Sequence, residues 1–271
     1  MRNENIKLLG SNDVIIANYP GSGSSWFSSL FISLGIFYVT GYDEILLDTH
    51  SQKTKLVDNS RRYHVPILKN RDIINPSYRE KIRIINTHEM PRKFHNSMTR
   101  KVILIVRDGR DSILSTYNYK KNFENLGKIS FLEYLKGNNG SWPEPAMGWA
   151  YYNFSWLNTL NKERLHVIQF ENCRKQTHKE ITAMLTFLGI ERTYQEIDYA
   201  VNKSSYENMR KLEQESLKKE GKNTETQKFM RKGKLGGWRD IYTEEMLQTF
   251  SGLPDKALRK FGYEAISRCK L

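Results

Sequence analysis

Four clusters of residues in this sequence have types and spacings that could do chemistry. The first is Tyr19-Pro20-Gly21-Ser22-Gly23-Ser24-Ser25-Trp26. Gly21 and Gly23 let the backbone bend and approach a ligand closely, and Ser22, Ser24 and Ser25 offer hydroxyl donors. Successive N–H groups in such a turn, before a helix, converge on an anion, so the loop predicts an oxyanion ligand. It lacks the lysine with which a Gly-Lys-Ser/Thr loop reaches terminal phosphates, which disfavours a kinase or triphosphatase. The second cluster is Asn86-Thr87-His88-Glu89. Histidine near its ordinary pKa can take a proton from an attacking hydroxyl or amine. The third is Arg107-Asp108-Gly109-Arg110-Asp111, followed by Ser115. Arg107 can fork two donors onto a phosphate and Ser115 can add a hydroxyl. The fourth, Arg231-Lys232-Gly233-Lys234-Leu235-Gly236-Gly237-Trp238, joins a basic pair to three glycines that permit close wrapping. Taken singly, each has a plain alternative: a structural turn, a surface histidine, an Arg–Asp pair capping a helix, a basic loop.

Elements of regular structure must bring these clusters together. Short runs rich in Ile and Val predict strands at 13–18, 82–86, 101–106 and 165–170. Helices are predicted at 25–37, 110–122, 147–160, 177–188, 192–200 and 243–250. Their alternation predicts an α/β fold, a parallel β-sheet flanked by helices on both faces. Ligands of such sheets sit at the carboxyl ends of the strands, and the first three clusters follow strand ends. Segments 38–80 and 121–146 are less regular and are expected to supply loops over the site. Residues 211–237, rich in Lys, Glu and Gly, predict either a flap that orders on ligand binding or a plain solvated loop.

The 271 residues suffice for one large domain, taken as 1–271. Lys and Arg total 43 against 30 Asp and Glu, a formal charge of +13 that attracts polyanions. No RNP-type aromatic motif, zinc finger or basic heptad repeat accompanies the charge, so no nucleic-acid partner is expected. No apolar run approaches the roughly 18 residues of a membrane span, and Met1–Asn12 has no apolar signal core, so no membrane partner is expected. Cys173 and Cys269 are the only cysteines, with no zinc-like spacing. The cytoplasm is the expected compartment, and no metal is expected.

Together the four clusters resemble the PAPS-dependent sulfotransferases of the cytosolic type, PAPS being 3′-phosphoadenosine 5′-phosphosulfate. The family loop Tyr-Pro-Lys-Ser-Gly-Thr-Thr-Trp matches Tyr19–Trp26 in register, and its Thr-His pair matches Thr87-His88. Its Arg and Ser eight residues apart match Arg107 and Ser115, and its Arg-Lys-Gly-x-x-Gly-x-Trp matches Arg231–Trp238. Gly140-Ser141-Trp142, with Trp149 beyond it, is a weaker match. The likeness spans roughly residues 13–250. It implies a P-loop-like sulfotransferase fold in which Gly21, Ser22, Gly23, Ser24 and Ser25 cradle the 5′-phosphosulfate. It implies that Arg107, Ser115, Arg231, Lys232 and Gly233 hold the 3′-phosphate. Trp26, Phe170 and Tyr206 would surround the adenine, with Ser204 in the segment Ser204-Ser205-Tyr206 that resembles a family Thr-Ser-Phe. His88 would be the catalytic base.

The sequence also departs from the family. Gly21 stands where the family loop has lysine, and Asn86 where a lysine often precedes Thr-His, so two cations expected beside the transferring group are missing. The loop N–H groups, a cation from elsewhere or a cationic acceptor could fill the gap. Arg239, Thr243, Glu244 and Gln248 match the family dimer motif poorly, which suggests a monomer or weak homodimer. The expected activity is sulfuryl transfer from PAPS to a hydroxyl or an amine or guanidinium nitrogen of a small molecule, leaving adenosine 3′,5′-bisphosphate (PAP). A specialised natural product such as a paralytic shellfish toxin is the expected kind of acceptor. The alternatives are a non-catalytic nucleotide-binding homologue and a small-molecule kinase.

Overall fold

A computed structural model describes residues 6, 9, 13–40, 82–97, 100–124, 126–137, 144–219, 221, 223 and 234–269. Arg231, Lys232 and Gly233 and the Gly140-Ser141-Trp142 match lie outside the described residues, as does most of 38–80.

Five parallel strands form one sheet in the order β2-β3-β1-β4-β5. They are β1 (Asp13–Asn18), β2 (Phe37–Thr40), β3 (Arg83–Thr87), β4 (Val102–Val106) and β5 (Leu165–Gln169). Alternate side chains enter opposite cores. Ile15, Ala17, Ile85, Leu104 and Val106 join one, with Trp149, Trp156 and Phe250. Val14, Ile16, Ile84, Ile103 and Ile105 join the other, with Phe27, Leu30, Phe31 and Met184. Both faces are therefore covered, and β1, β3 and β4 are buried along their whole length. Pairing of Ala17 with Thr87 and of Asn18 with Ile105 brings three strand ends to one rim. At the opposite end the paired residues Asp13 and Arg83 form a buried bidentate ion pair, both contacts at 2.7 Å.

The helices are α1 (Ser24–Ser33), α2 (Gly109–Phe123), α3 (Phe131–Leu135), α4 (Pro145–Thr159), α5 (Phe170–Lys175), α6 (Thr177–Leu188), α7 (Tyr194–Lys203), α8 (Tyr206–Lys219), α9 (Glu244–Gln248) and α10 (Leu253–Lys260). The helix expected at 25–37 stops at Ser33, because Gly35 takes a left-handed φ of 71° and turns the chain into β2. The strand expected to reach residue 170 ends at Gln169, and Phe170 opens α5. The solvated stretch expected from residue 211 is helical as far as Lys219, a correction with a visible cause. Met209, Glu213 and Leu217 are buried on one stripe of α8, and the charge in its middle is neutralised by Arg210 at 2.7 Å. The acid hid an amphipathic pattern. Helix α10, opened by Leu253-Pro254, packs against α4, with Trp149 and Phe154 both on Phe261 just past its end.

Candidate functional site

The loop between β1 and α1 occupies the centre of the rim. Gly21 and Gly23 have φ of 81° and 93°, left-handed values that L side chains rarely adopt. Space excludes side chains there as firmly as the dihedrals do. A Cβ on Gly21 would lie 2.2 Å from the Ser112 carbonyl oxygen and 2.8 Å from Thr116 Oγ1. A Cβ on Gly23 would lie 2.4 Å from the Phe170 ring. Gly23 caps α1 with no side-chain hydrogen bond, so the first-turn N–H groups at Ser24 and Ser25 have no acceptor within the helix. Ser22 is turned inward. Its N–H donates to Tyr19 O at 3.1 Å and its hydroxyl lies 3.3 Å from Ser112 Oγ, so its polar groups are engaged inside the protein.

His88 flanks the loop on the β3 side, just past the strand end. Its Nδ1 lies 2.8 Å from Asn18 O. A carbonyl only accepts, so this bond assigns the proton to Nδ1 and leaves the lone pair of the neutral ring on Nε2, the position of a base. Burial holds the imidazole below its ordinary pKa, although the Asn18 bond and Glu89 act against it. Aromatic groups of α4 fix the backbone on either side: Tyr152 Oη donates to Thr87 O at 3.3 Å and Trp156 Nε1 to Glu89 O at 3.2 Å. Asn86, one strand over from Asn18, accepts from its side-chain amide.

Arg107 flanks the loop on the β4 side. One guanidinium nitrogen donates to Gly21 O at 2.8 Å, and the group lies 4.9 Å from the centre of the Phe170 ring. Its Nε is buried with no hydrogen-bond partner. A buried donor of this kind costs free energy until something accepts from it, which is what an incoming anion would do. Helix α2 follows at once. Asp108 caps it, accepting from Arg110 N at 3.0 Å, and pairs with the Arg110 guanidinium at 2.7 Å. Ser115 stands half-buried on its second turn.

Trp26 is 8% exposed and meets the edge of Phe170 at 5.8 Å. Its indole N–H donates to Ser204 O at 2.9 Å, while the Ser204 hydroxyl lies 2.8 Å from Ser29 Oγ. Arg174 lies over the indole at 5.3 Å from its centre. Tyr206 is half-buried at the start of α8. The structure thus joins Gly21, Gly23, Trp26, Arg107, Phe170 and Ser204 through direct contacts, and His88 through the last residue of β1.

Glu171 and Arg174 fall in none of the four motifs, and Asp111 reads in sequence only as part of an Arg–Asp helix cap. Glu171 accepts from Asp108 N at 3.0 Å and from Tyr263 Oη at 2.7 Å, and burial raises its pKa. Asp111 accepts two backbone N–H bonds from a segment over a hundred positions away. Only the three-dimensional fold reveals that partner.

A glycine-turned loop, a half-buried arginine with one unpartnered buried nitrogen and a histidine with its proton assigned to Nδ1 stand on three adjacent strand ends. The sulfotransferase domain family model matches residues 11–262 of the chain. The chain belongs to that family. Sulfotransferase 2A6 of Mus musculus is 28% identical to this sulfotransferase over 255 residues, covering 90% of this chain and 83% of its relative. Cytosolic sulfotransferase 13 of Arabidopsis thaliana is 26% identical over 250 residues, covering 86% and 72%. Among solved structures, mouse sulfotransferase SULT7A1 complexed with PAP has a TM-score of 0.62 at 21% identity, covering 93% of this chain and 85% of that one. Retinol dehydratase in a complex with retinol and PAP has a TM-score of 0.67 at 19% identity, covering 97% and 85%. At these identities the structures speak for the fold, which is that of the sulfotransferases.

Proposed function

We propose that this sulfotransferase takes PAPS as its donor and transfers the sulfuryl group to a small-molecule hydroxyl or nitrogen, with His88 as general base. The observation that carries the reading is one loop held on both flanks, by His88 at Asn18 O and by Arg107 at Gly21 O, each at 2.8 Å. The residues fit the donor. The unpartnered Arg107 Nε and the uncapped start of α1 are donors awaiting an anion, and PAP is what a mouse sulfotransferase and a retinol dehydratase of this fold hold.

When bound, PAPS supplies the sulfuryl group, whose bond to the 5′-phosphate oxygen breaks as the acceptor's bond to sulfur forms. The loop around Gly21, Gly23, Ser24 and Ser25 would hold the 5′ end with backbone donors. Arg107 and Ser115 would hold the 3′-phosphate, joined by Arg231, Lys232 and Gly233 from the segment outside the described residues. Trp26, Phe170, Ser204 and Tyr206 would receive the adenine. His88 Nε2 would accept the acceptor's proton as attack proceeds. Preorganised donors at the loop carry the charge that develops on the leaving phosphate.

The acceptor we propose is polar and cationic, an amine- or guanidinium-bearing natural product such as a paralytic shellfish toxin. Its support is the missing lysine: neither Gly21 nor Asn86 brings a cation to the transferring group, and the acceptor's own charge could lie there instead. The proposed setting is the cytoplasm, and the proposed state a monomer or weak homodimer. A thermal-shift comparison tests the donor. PAP alone should stabilise the protein and magnesium-ATP should not; the reverse result overturns the reading in favour of a kinase. Incubation of PAPS with a panel of phenols, steroids and guanidinium compounds, read by mass gain of one sulfuryl group, tests the acceptor. A gain confined to phenols and steroids overturns the cationic class, and no gain on any compound despite PAP binding favours a non-catalytic homologue.

A further inference from the structure

Arg107 is not alone at this rim. Arg174 stands on α5 four residues after Phe170, so the two side chains share one face of that helix. Its guanidinium lies over the Trp26 ring at 5.3 Å, as that of Arg107 lies over Phe170 at 4.9 Å. The two rings meet edge to face at 5.8 Å. Two cations thus rest on one aromatic pair, and that pair adjoins the loop. Phe170 fills the space that a Cβ on Gly23 would need, and Trp26 lies in the first turn of α1.

A guanidinium packed on an aromatic ring still has N–H donors that need acceptors. The protein supplies few. Arg107 gives one nitrogen to Gly21 O at 2.8 Å and keeps a buried Nε without a partner. Arg174 is half-buried, and among the described residues its nitrogens have no hydrogen bond. Nearby carboxylates do not close the gap. Asp111 lies 3.8 Å from Arg107, and each of its oxygens already accepts a backbone N–H. Glu207, exposed in the first turn of α8, acts on Arg174 through space but forms no ion pair with it. Burial lowers the Arg174 pKa and the Arg107 charge lowers it too, against the pull of Glu207. Holding a second cation beside the first is unfavourable unless an anion is shared between them.

We propose that Arg174 is a second phosphate-binding cation of the donor site, acting with Arg107 on the nucleotide's phosphates across the Phe170–Trp26 pair. It brings to the rim a positive charge that Gly21 and Asn86 do not. The proposal rests on the donor reading given above, and wild-type binding separates the two. If wild-type protein does not bind PAP, the donor reading fails; if it does, the variants test Arg174 alone.

The measurement is the dissociation constant of PAP by calorimetry, at low and at high sodium chloride, for wild type and for Arg174→Gln. At low salt the variant should bind PAP about tenfold or more weakly, the scale of a lost charge-assisted hydrogen bond. Salt screens a half-exposed charge, so the gap between the two proteins should narrow at high salt. Arg174→Lys, which keeps the charge without the fork, should recover part of the loss. Unchanged PAP affinity in the Gln variant overturns the proposal. So does an equal loss at both salt concentrations with no recovery by Lys, which would mark Arg174 as packing on Trp26 or touching the base. Should the Gln variant fail to fold, Arg174→Met keeps the apolar stem over Trp26, and the same comparison decides.

Discussion

His88 and Gly21 carry the sharpest consequences of single atoms. Replacing His88 with Ala removes the base and should lower turnover on the order of 10²–10⁴-fold, while PAP affinity measured by calorimetry stays close to wild type. A near-normal turnover would remove His88 from the mechanism. The same residue sets a pH dependence. Burial lowers its pKa, so the neutral base persists below the ordinary histidine range and is lost as pH falls through the lowered value. The acid limb of the kcat/KM profile should therefore lie below about 6.5, and a limb at or above that value contradicts the assignment. Gly21→Lys, which restores the family residue, should harm the protein. A side chain there needs a φ of 81° and meets the Ser112 carbonyl oxygen at 2.2 Å. The left-handed backbone alone costs roughly 1–2 kcal/mol. Melting temperature and turnover should both drop, and a gain in turnover would show that the loop can relax.

At the scale of elements, the two ends of β1 do different work. The Asp13–Arg83 pair sits at the amino ends of β1 and β3, and the loop of Gly21 and Gly23 at the carboxyl end of β1. Asp13→Ala removes the carboxylate from a buried guanidinium and should cost about 3–5 kcal/mol in urea unfolding. PAP affinity should be unaffected in the fraction that stays folded; a large loss of affinity would mean that the strand transmits strain to the loop. Strands such as these were legible because their Ile and Val runs are short and bounded. Helix α8 was not, because Glu213 breaks the apolar stripe of Met209 and Leu217 and only its pairing with Arg210 makes that position tolerable. Strand β2 is four residues long and begins four residues after α1 ends at Ser33, too little sequence to separate from the helix tail. The site residues Gly23, Arg107 and Phe170 were legible by motif, whereas Asp111 was not. Its partners Gly236 and Trp238 lie 125 and 127 positions away, and nothing local to Arg110-Asp111-Ser112 announces them.

At the scale of the whole molecule, the formal charge of +13 sets a field favourable to a polyanionic nucleotide. No helix among the described residues is long and apolar enough to cross a membrane. The order of the strands then matters more than the charge. In β3-β1-β4 the glycine-turned loop follows the middle strand, with His88 on one side and Arg107 on the other. Neighbouring strands lie roughly 4.8 Å apart, so with the proposed roles of Arg107 and His88 the donor nucleotide and the acceptor would approach the shared loop from opposite flanks. On that reading neither has to leave before the other arrives, and the group passes directly from donor to acceptor. Initial rates measured against both substrates should therefore give intersecting reciprocal lines, the pattern of a ternary complex, and parallel lines would point to a covalent relay. PAP should compete with PAPS and leave the acceptor's access open, so a product that lingers would throttle the enzyme from the nucleotide side alone.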